Sequence, residues 1–434
     1  MWGQKMFNQK FLSVAIAALF VPSIHSAYAA SDAEVQTLRD EVRLLAERIN
    51  QTDAKTAAPA ASANAFNPAV SLILGGTYAK LSRDPAIPAT GFAMAANPAH
   101  PQGFNLGESE LGISADIDPE YRGFATMALA PAGGITVENA FIQSSALGNG
   151  LNVKFGRFFS GLGYLNEQHA HAWDFVDQPL VYASLWNNQI GEDGVQLKWL
   201  APTETFVELG AEVGRGRSFP ATDTNRNGAG ATALFAHVAD DIGIEHSWRA
   251  GASLYQTQRQ NAQSFNVPDL LGTVGGVTNS FTGDSQTAGL DWVWKYAPNG
   301  NISNKYVKLQ GEIFQRKENG VLTYNLLTPS SYNNTQNGWY MQSVAQFMPH
   351  WRTGLRYDRM NAGTANVGAA NLANVISNYA YNPTRTSWML DYSPSEFSRL
   401  RLQVARDLTR QGQPDNQIFV QYLMSLGAHG AHQY

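Results

Sequence analysis

Leu151-Asn-Val-Lys-Phe-Gly-Arg157 and, after a long polar interval, Val195-Gln-Leu-Lys-Trp199 decide how this chain folds. In the first stretch Leu151, Val153 and Phe155 alternate with Asn152, Lys154 and Gly156; in the second Val195, Leu197 and Trp199 alternate with Gln196 and Lys198. Successive side chains leave opposite sides of a pleat, so this period of two gives each strand one apolar and one wet face. The interval between them, Phe159 to Asp193, contains Gly161-Leu-Gly-Tyr-Leu-Asn-Glu-Gln-His-Ala-His-Ala-Trp-Asp-Phe-Val-Asp177. A loop this long inside an ordered domain usually has a function of its own.

The alternation recurs on both sides of that unit. Before it come Val70–Leu74, Leu111–Ile117, Gly123–Leu129 and a weaker Val137–Gln143; after it come Val207–Val213, Ala231–Val238, Trp248–Gln256 and Leu290–Trp294. Val307–Ile313, Trp339–Phe347, Trp351–Tyr357, Thr386–Leu390, Leu400–Val404 and Ile418–Leu426 complete the set, which makes sixteen strands. Connections after even-numbered strands are short and rich in Pro, Gly, Asn and Asp, as at Asp118-Pro-Glu-Tyr121, Leu200-Ala-Pro-Thr203 and Met348-Pro-His350. Most connections after odd-numbered strands are long. No later stretch approaches the ~20 apolar residues of a spanning helix. The pattern predicts an all-β fold, a 16-stranded antiparallel transmembrane β-barrel over 67–434 with its short turns in the periplasm. A soluble β-propeller also alternates, but the even count, the split of loop lengths and the terminal aromatic Tyr434 favour the barrel.

The ends and the composition agree with export. Lys5 and Lys10, an apolar run from Phe11 to Val21 and Ala27-Tyr-Ala29 read as a signal peptide over 1–29. Its removal takes the formal charge of −5 to about −7, so no basic excess argues for nucleic acid. The chain of 434 residues has no cysteine, which excludes disulfides and thiolate metal sites. Val35, Leu38, Val42, Leu45 and Ile49 form a seam of about two heptads, predicting a periplasmic coiled-coil helix over 30–51. Residues 52–66, mostly Ala, Ser, Thr and Pro, read as a flexible linker.

With sixteen strands, the loop 159–193 is the third on the outer side. Here the chain resembles sixteen-stranded porins, in which the third loop folds inward and narrows the pore. Val153-Lys-Phe-Gly-Arg-Phe158 is similar to the phosphate-selective porin O and P family. A closer resemblance, carried by Gly156-Arg-Phe, Asn166-Glu-Gln-His-Ala-His-Ala-Trp-Asp174 and Gly427-Ala-His-Gly-Ala-His432, is to an uncharacterised proteobacterial group, some labelled zinc-regulated outer-membrane receptors. The resemblance implies a constriction built from Asn166, Glu167, His169, His171, Trp173, Asp174 and Asp177. The strands depart from a basic ladder. Inward parity places Lys154, Lys198, Arg249, Lys308, Arg352, Arg356 and Arg401 beside Glu208, Asp291 and Glu312, with Arg122, Arg316, Arg399, Glu110, Asp116, Glu138, Glu212, Asp358 and Asp391 on the same face. The signs nearly cancel, so ions of both charges are expected to pass.

His169, His171 and Asp174 also suit zinc or another divalent ion, with Glu167 and Asp177 close in sequence and His429 and His432 as a second cluster. The competing expectation is that these groups only hydrogen-bond the loop to the wall and that there is no cofactor. No Gly-x-Ser-x-Gly elbow, His-Glu-x-x-His or phosphate loop is present, so no enzyme and no catalytic residue is expected. The expected function is diffusion of small hydrophilic solutes or ions across the outer membrane of a Gram-negative bacterium. The alternative is a zinc-binding outer-membrane channel or receptor. The expected partners are outer-membrane lipid, the solutes and two further copies in a homotrimer.

Overall fold

Strands with one wet face and one apolar face satisfy every backbone group in lipid only by closing on themselves. The computed structural model does this. It describes residues 68–427 apart from 85–88, 93–100, 108, 130–132, 145–146, 222–227, 267–276 and 375–380. The signal peptide, coiled-coil helix and linker read over 1–66, together with His429, His432 and Tyr434, lie outside the described residues.

Among those residues sixteen long strands form one antiparallel barrel. They are β1 Ala69–Leu81, β2 Glu110–Asp116, β3 Tyr121–Leu129, β4 Ile135–Ser144, β5 Leu151–Phe159, β6 Gly191–Leu200, β7 Phe206–Gly214 and β8 Ala231–Ile242. Then follow β9 His246–Asn266, β10 Val277–Tyr296, β11 Tyr306–Tyr324, β12 Thr328–Met348, β13 Trp351–Asn361, β14 Thr384–Ser395, β15 Ser398–Asp407 and β16 Asp415–Gly427. Two shorter ladders, Gly103–Asn105 and Asn366–Val367, pair at the loop end. Each strand pairs with its sequence neighbours, and β1 closes the ring by pairing β16 through Leu72 and Leu426 and β2 through Leu72 and Leu111. Every one of the sixteen expected strands coincides with an observed one.

The lengths differ from expectation in one region. β9 to β12 run well past the apolar alternation, and β11 passes into β12 through a tight turn at Asn325 to Leu327. The reason lies on the outward face. Ala252, Leu290, Ile313 and Trp339 stand in one registered row across β9 to β12, and Gln256, Gln286, Lys317 and Thr335 stand in a parallel row four residues further out. The first row suits hydrocarbon and the second suits water, so the strands continue above the bilayer with a polar exterior. Aromatic pairs mark the lipid band: Trp351 with Tyr392 at the short-turn end, ring centres 4.7 Å apart, and Trp339 with Tyr357 towards the outer edge, 5.6 Å apart.

The weak alternation of β4 also has a structural cause. Its register against β3 shifts between Thr126 and Met127, leaving Glu138 as an extra residue opposite no partner. Such a bulge re-aims neighbouring side chains. Here consecutive Glu138 and Asn139 both reach the loop inside the barrel.

Candidate functional site: the loop inside the barrel

Residues 160–190 leave β5 and turn into the lumen, where they carry their own apolar core. Leu162, Leu165, Leu180, Val181, Tyr182, Leu185, Trp186 and Ile190 are buried together against Tyr255, Phe314, Tyr340 and Met360 of the wall. Trp186 meets Phe314 edge-on with ring centres 4.3 Å apart. Fully burying such side chains contributes about 1.5–3 kcal/mol each towards docking the loop.

The neck of the loop is closed by Asn166. Its Nδ2 donates to the carbonyls of Ser160 and Ile190 at 2.8 and 2.9 Å, and its Oδ1 accepts the Ile190 N–H at 2.8 Å. Next to the neck, Glu312 of β11 accepts the Tyr164 and Leu165 N–H groups at 3.0 and 3.2 Å and the hydroxyls of Tyr182 and Tyr340 at 2.8 and 2.6 Å. This approach requires glycine at 163, where φ is +66° and an added Cβ would lie 2.3 Å from Glu312 Oε2.

The one α-helix among the described residues, α1 Leu180–Trp186, is held by the wall at both ends. Pro179 precedes it, and Asn187 ends it in the left-handed region at φ 52°. Asp358 of β13 accepts the Leu180 N–H at 2.9 Å, and Arg316 of β11 donates to the Leu185 carbonyl at 2.9 Å. A negative group at the N-terminus and a positive one at the C-terminus match the helix dipole.

The inward charges of β11 to β15 are mostly consumed in holding this loop. Asp174 pairs with Lys308 and with Arg352 at 3.4 Å, and accepts from Gln342 at 2.9 Å. Burial alone would raise the Asp174 carboxyl, but Lys308 and Arg352 outweigh it and hold it below the usual range. Asp177 receives Arg356 at 2.9 Å, Arg385 at 2.6 Å and Gln403 at 2.8 Å. Arg356 also pairs with Asp358 at 3.1 Å and lies over Phe175. Arg401 binds Asp391 at 2.7 Å and donates to the Trp173 carbonyl at 3.0 Å. Arg356 and Arg401 are only 1% exposed, so the structure places them beneath the loop rather than in lumen water. Trp173 turns inward and donates through Nε1 to the Gln168 carbonyl at 2.9 Å.

The half-exposed wall is the other one, β2 to β9. Lys198 pairs with Glu167 of the loop at 3.1 Å and with Glu208 at 3.6 Å, and Glu208 accepts from His237 at 3.0 Å. Burial would raise the Glu167 carboxyl, but Lys198 and Lys154 bring it down to about 2. Arg249 pairs with Asp291 at 3.4 Å and lies over Tyr164. Lys154 sits 4.6 Å from the centre of the Phe141 ring. Towards the turn end a recess of about 520 Å³ is lined by Arg122, Phe124, Gln143 and Asn152, among others.

Where the loop approaches β2 and β4, the expected ligand set separates. His169 caps and His171 lies within a 3-10 turn, Ala170–Ala172, rather than an extended segment, yet their rings stack 5.7 Å apart. Asp174 stays with its two cations. The groups that join the histidines come from the wall: His169 Nδ1 lies 3.0 Å from Glu138 Oε2 and 3.2 Å from Glu110 Oε2, and His171 Nδ1 lies 3.0 Å from Glu110 Oε1. Burial favours a neutral His169, but the two carboxylates overcome it and push its pKa up to about 10. Inward parity identified Glu110 and Glu138 as lumen-facing. Only the barrel register could bring them to the loop.

No protein-family model matches the chain. An uncharacterised protein of Aquifex aeolicus (strain VF5) is 31% identical over 356 residues, covering 77% of this chain and 70% of that one. Among solved structures the barrel is similar to OmpT, an outer membrane protein of Vibrio cholerae, with a TM-score of 0.53, 12% identity and coverage of 85% and 100%. It is also similar to Pseudomonas putida OprB, with a TM-score of 0.52, 12% identity and coverage of 83% and 94%. An anion-selective porin from Comamonas acidovorans gives 0.51, 14%, and 83% and 99%. At these identities the likeness is one of fold, that of the outer-membrane β-barrel.

Proposed function

The chain belongs to the family of the uncharacterised Aquifex aeolicus protein, and from that premise and its porin-like barrel we propose that it is an outer-membrane channel for small hydrophilic solutes and ions. One observation carries the reading: the third loop is docked inside the barrel, buried against β11 to β15 and meeting β2 to β9 through partly exposed charged groups, such as Glu167 with Lys198 and His169 with Glu138. The constriction is lined by Glu167 on the loop and by Lys154, Lys198, Glu208 and Arg249 on that wall. A wide barrel interior is narrowed there to an opening set by side chains of both signs.

This lining decides selectivity. Lys198 and Arg249 face carboxylates at 3.1 and 3.4 Å, which weakens their pull on passing anions. Lys154 has no carboxylate in salt-bridge contact among the described residues and rests on Phe141. The short similarity of Val153 to Phe158 to phosphate-selective porins therefore supports anion passage at one lysine rather than along a ladder. Weak anion preference follows. Lys154→Gln is expected to shift the reversal potential in a salt gradient towards cations, and an unchanged potential would move the constriction elsewhere. The homotrimer is part of the same proposal, since the heptad seam that precedes the barrel in sequence is a pattern of association.

Solute passage is tested by swelling of liposomes that contain the purified protein, in sugars of increasing size. Swelling that falls steeply with solute size supports a constricted channel. No swelling with the smallest sugar by correctly folded protein would refute it.

A further inference from the structure

We propose that Glu110, Glu138 and His169 form a binding site for a divalent transition-metal ion of the zinc class, with His171 beside it, where the third loop meets the wall. The inference does not depend on what the channel passes.

The donor geometry comes first. His169 Nδ1, Glu110 Oε2 and Glu138 Oε2 all lie within 4.8 Å of one another. The imidazole nitrogen stands 3.2 and 3.0 Å from the two carboxylate oxygens. A tetrahedral ion with bonds of about 2.0 Å holds its ligands about 3.3 Å apart, so only small side-chain shifts separate these atoms from a coordination shell. The second oxygen of Glu110 is 3.0 Å from His171 Nδ1, which places a second imidazole at the same carboxylate.

The support behind the donors is the second observation. The β4 bulge presents consecutive Glu138 and Asn139 to one ring, and Asn139 Nδ2 lies 2.8 Å from His169 Nε2. The other end of that amide accepts the Phe159 N–H at 3.2 Å, so the ring orientation is fixed from behind. A metal-ligating His169 carries its proton on Nε2 and donates it, so binding through Nδ1 turns the Asn139 amide to present Oδ1 to the ring and frees the Phe159 N–H.

Charge and access agree. With both imidazoles neutral, two carboxylates leave a charge of about −2 that a dication balances. Side-chain exposures of 20% for His169 and Glu138 and 10% for His171 leave these groups reachable, with Glu110 buried behind them at 3%. Imidazole nitrogen favours zinc-class ions over magnesium or calcium, which prefer oxygen alone. Asp174 is not part of the site, because Lys308 and Arg352 already neutralise it and would repel a cation.

The test uses full-length protein in detergent, stripped with a chelator and titrated calorimetrically with zinc chloride. Saturable uptake of one zinc per chain is expected, unaffected by excess magnesium. Glu138→Gln and His169→Ala should each weaken it at least tenfold, while His246→Ala, whose ring stacks on Trp294 and Tyr296 away from the loop, should retain it. Heat-modifiable mobility on gels checks that each variant is folded. X-ray absorption at the zinc edge of the wild type gives a reading independent of any variant, with imidazole scattering expected. Absence of saturable uptake, uptake that persists in both site variants, or a zinc shell without imidazole would each overturn the site. Channel conductance is measured on the same samples, so loss of the metal site and loss of the channel reading are distinguishable.

Discussion

At the scale of single residues, the loop is held by buried groups whose partners come from distant strands. Gly163 is the tightest case, since its positive φ and the approach of Glu312 both exclude a side chain. Gly163→Ala is expected to cost about 1–3 kcal/mol of docking and to appear as added flicker in single-channel records. Asp174 gives the pH dependence. Its folded-state pKa is depressed below the ordinary value of 3.8, so its contribution is fully present above that value and is lost as pH falls through the lowered one. The excess noise of Asp174→Asn over the wild type is therefore expected to stay constant from pH 7 to about pH 4 and to disappear only in stronger acid. An excess that is already lost at pH 5 would contradict the assignment. The sequence identified the inward-facing charges by parity, including Glu110, Glu138, Arg356 and Asp358. It could not show which were spent on the loop, because each contact joins residues far apart in the chain, as Arg356 joins Asp177.

At the scale of elements, all sixteen strands were legible because lipid on one side and water on the other impose a strict period of two. The outer halves of β9 to β12 were not, since above the bilayer both faces are wet and the alternation disappears. Helix α1 was also hidden. Leu180 to Trp186 is apolar all round, buried on every side, and too short to show a helical period. Its N-terminus depends on Asp358 rather than on a side-chain cap, and its C-terminus on Arg316 together with the left-handed Asn187. The loop should therefore detach as a unit when its ion network is broken. Arg356→Ala leaves Asp177 and Asp358 without a cation they now share, and removing one partner of a buried pair typically costs about 3–5 kcal/mol. The expected result is a folded barrel, by heat-modifiable mobility, with long-lived higher-conductance states. A variant with wild-type records would mean that Arg385 alone holds Asp177.

At the scale of the whole molecule, a closed lipid-facing barrel encloses an interior nearly neutral in charge and crossed by one ordered loop. Homotrimer formation is checked by chemical crosslinking of the full-length protein in mild detergent. A ladder ending at three copies is expected, and monomer at every concentration would refute it. Removing Ser31 to Gln51 should weaken the trimer and leave the barrel folded, since strand pairing carries the stability of each subunit. The central claim is that the third loop sets the opening of a channel, and single-channel conductance of the wild type beside a deletion of Leu165 to Asp174 tests it most directly. Discrete openings are expected for the wild type and larger ones for the deletion. Equal conductance from two folded barrels, or no openings from either, would contradict it.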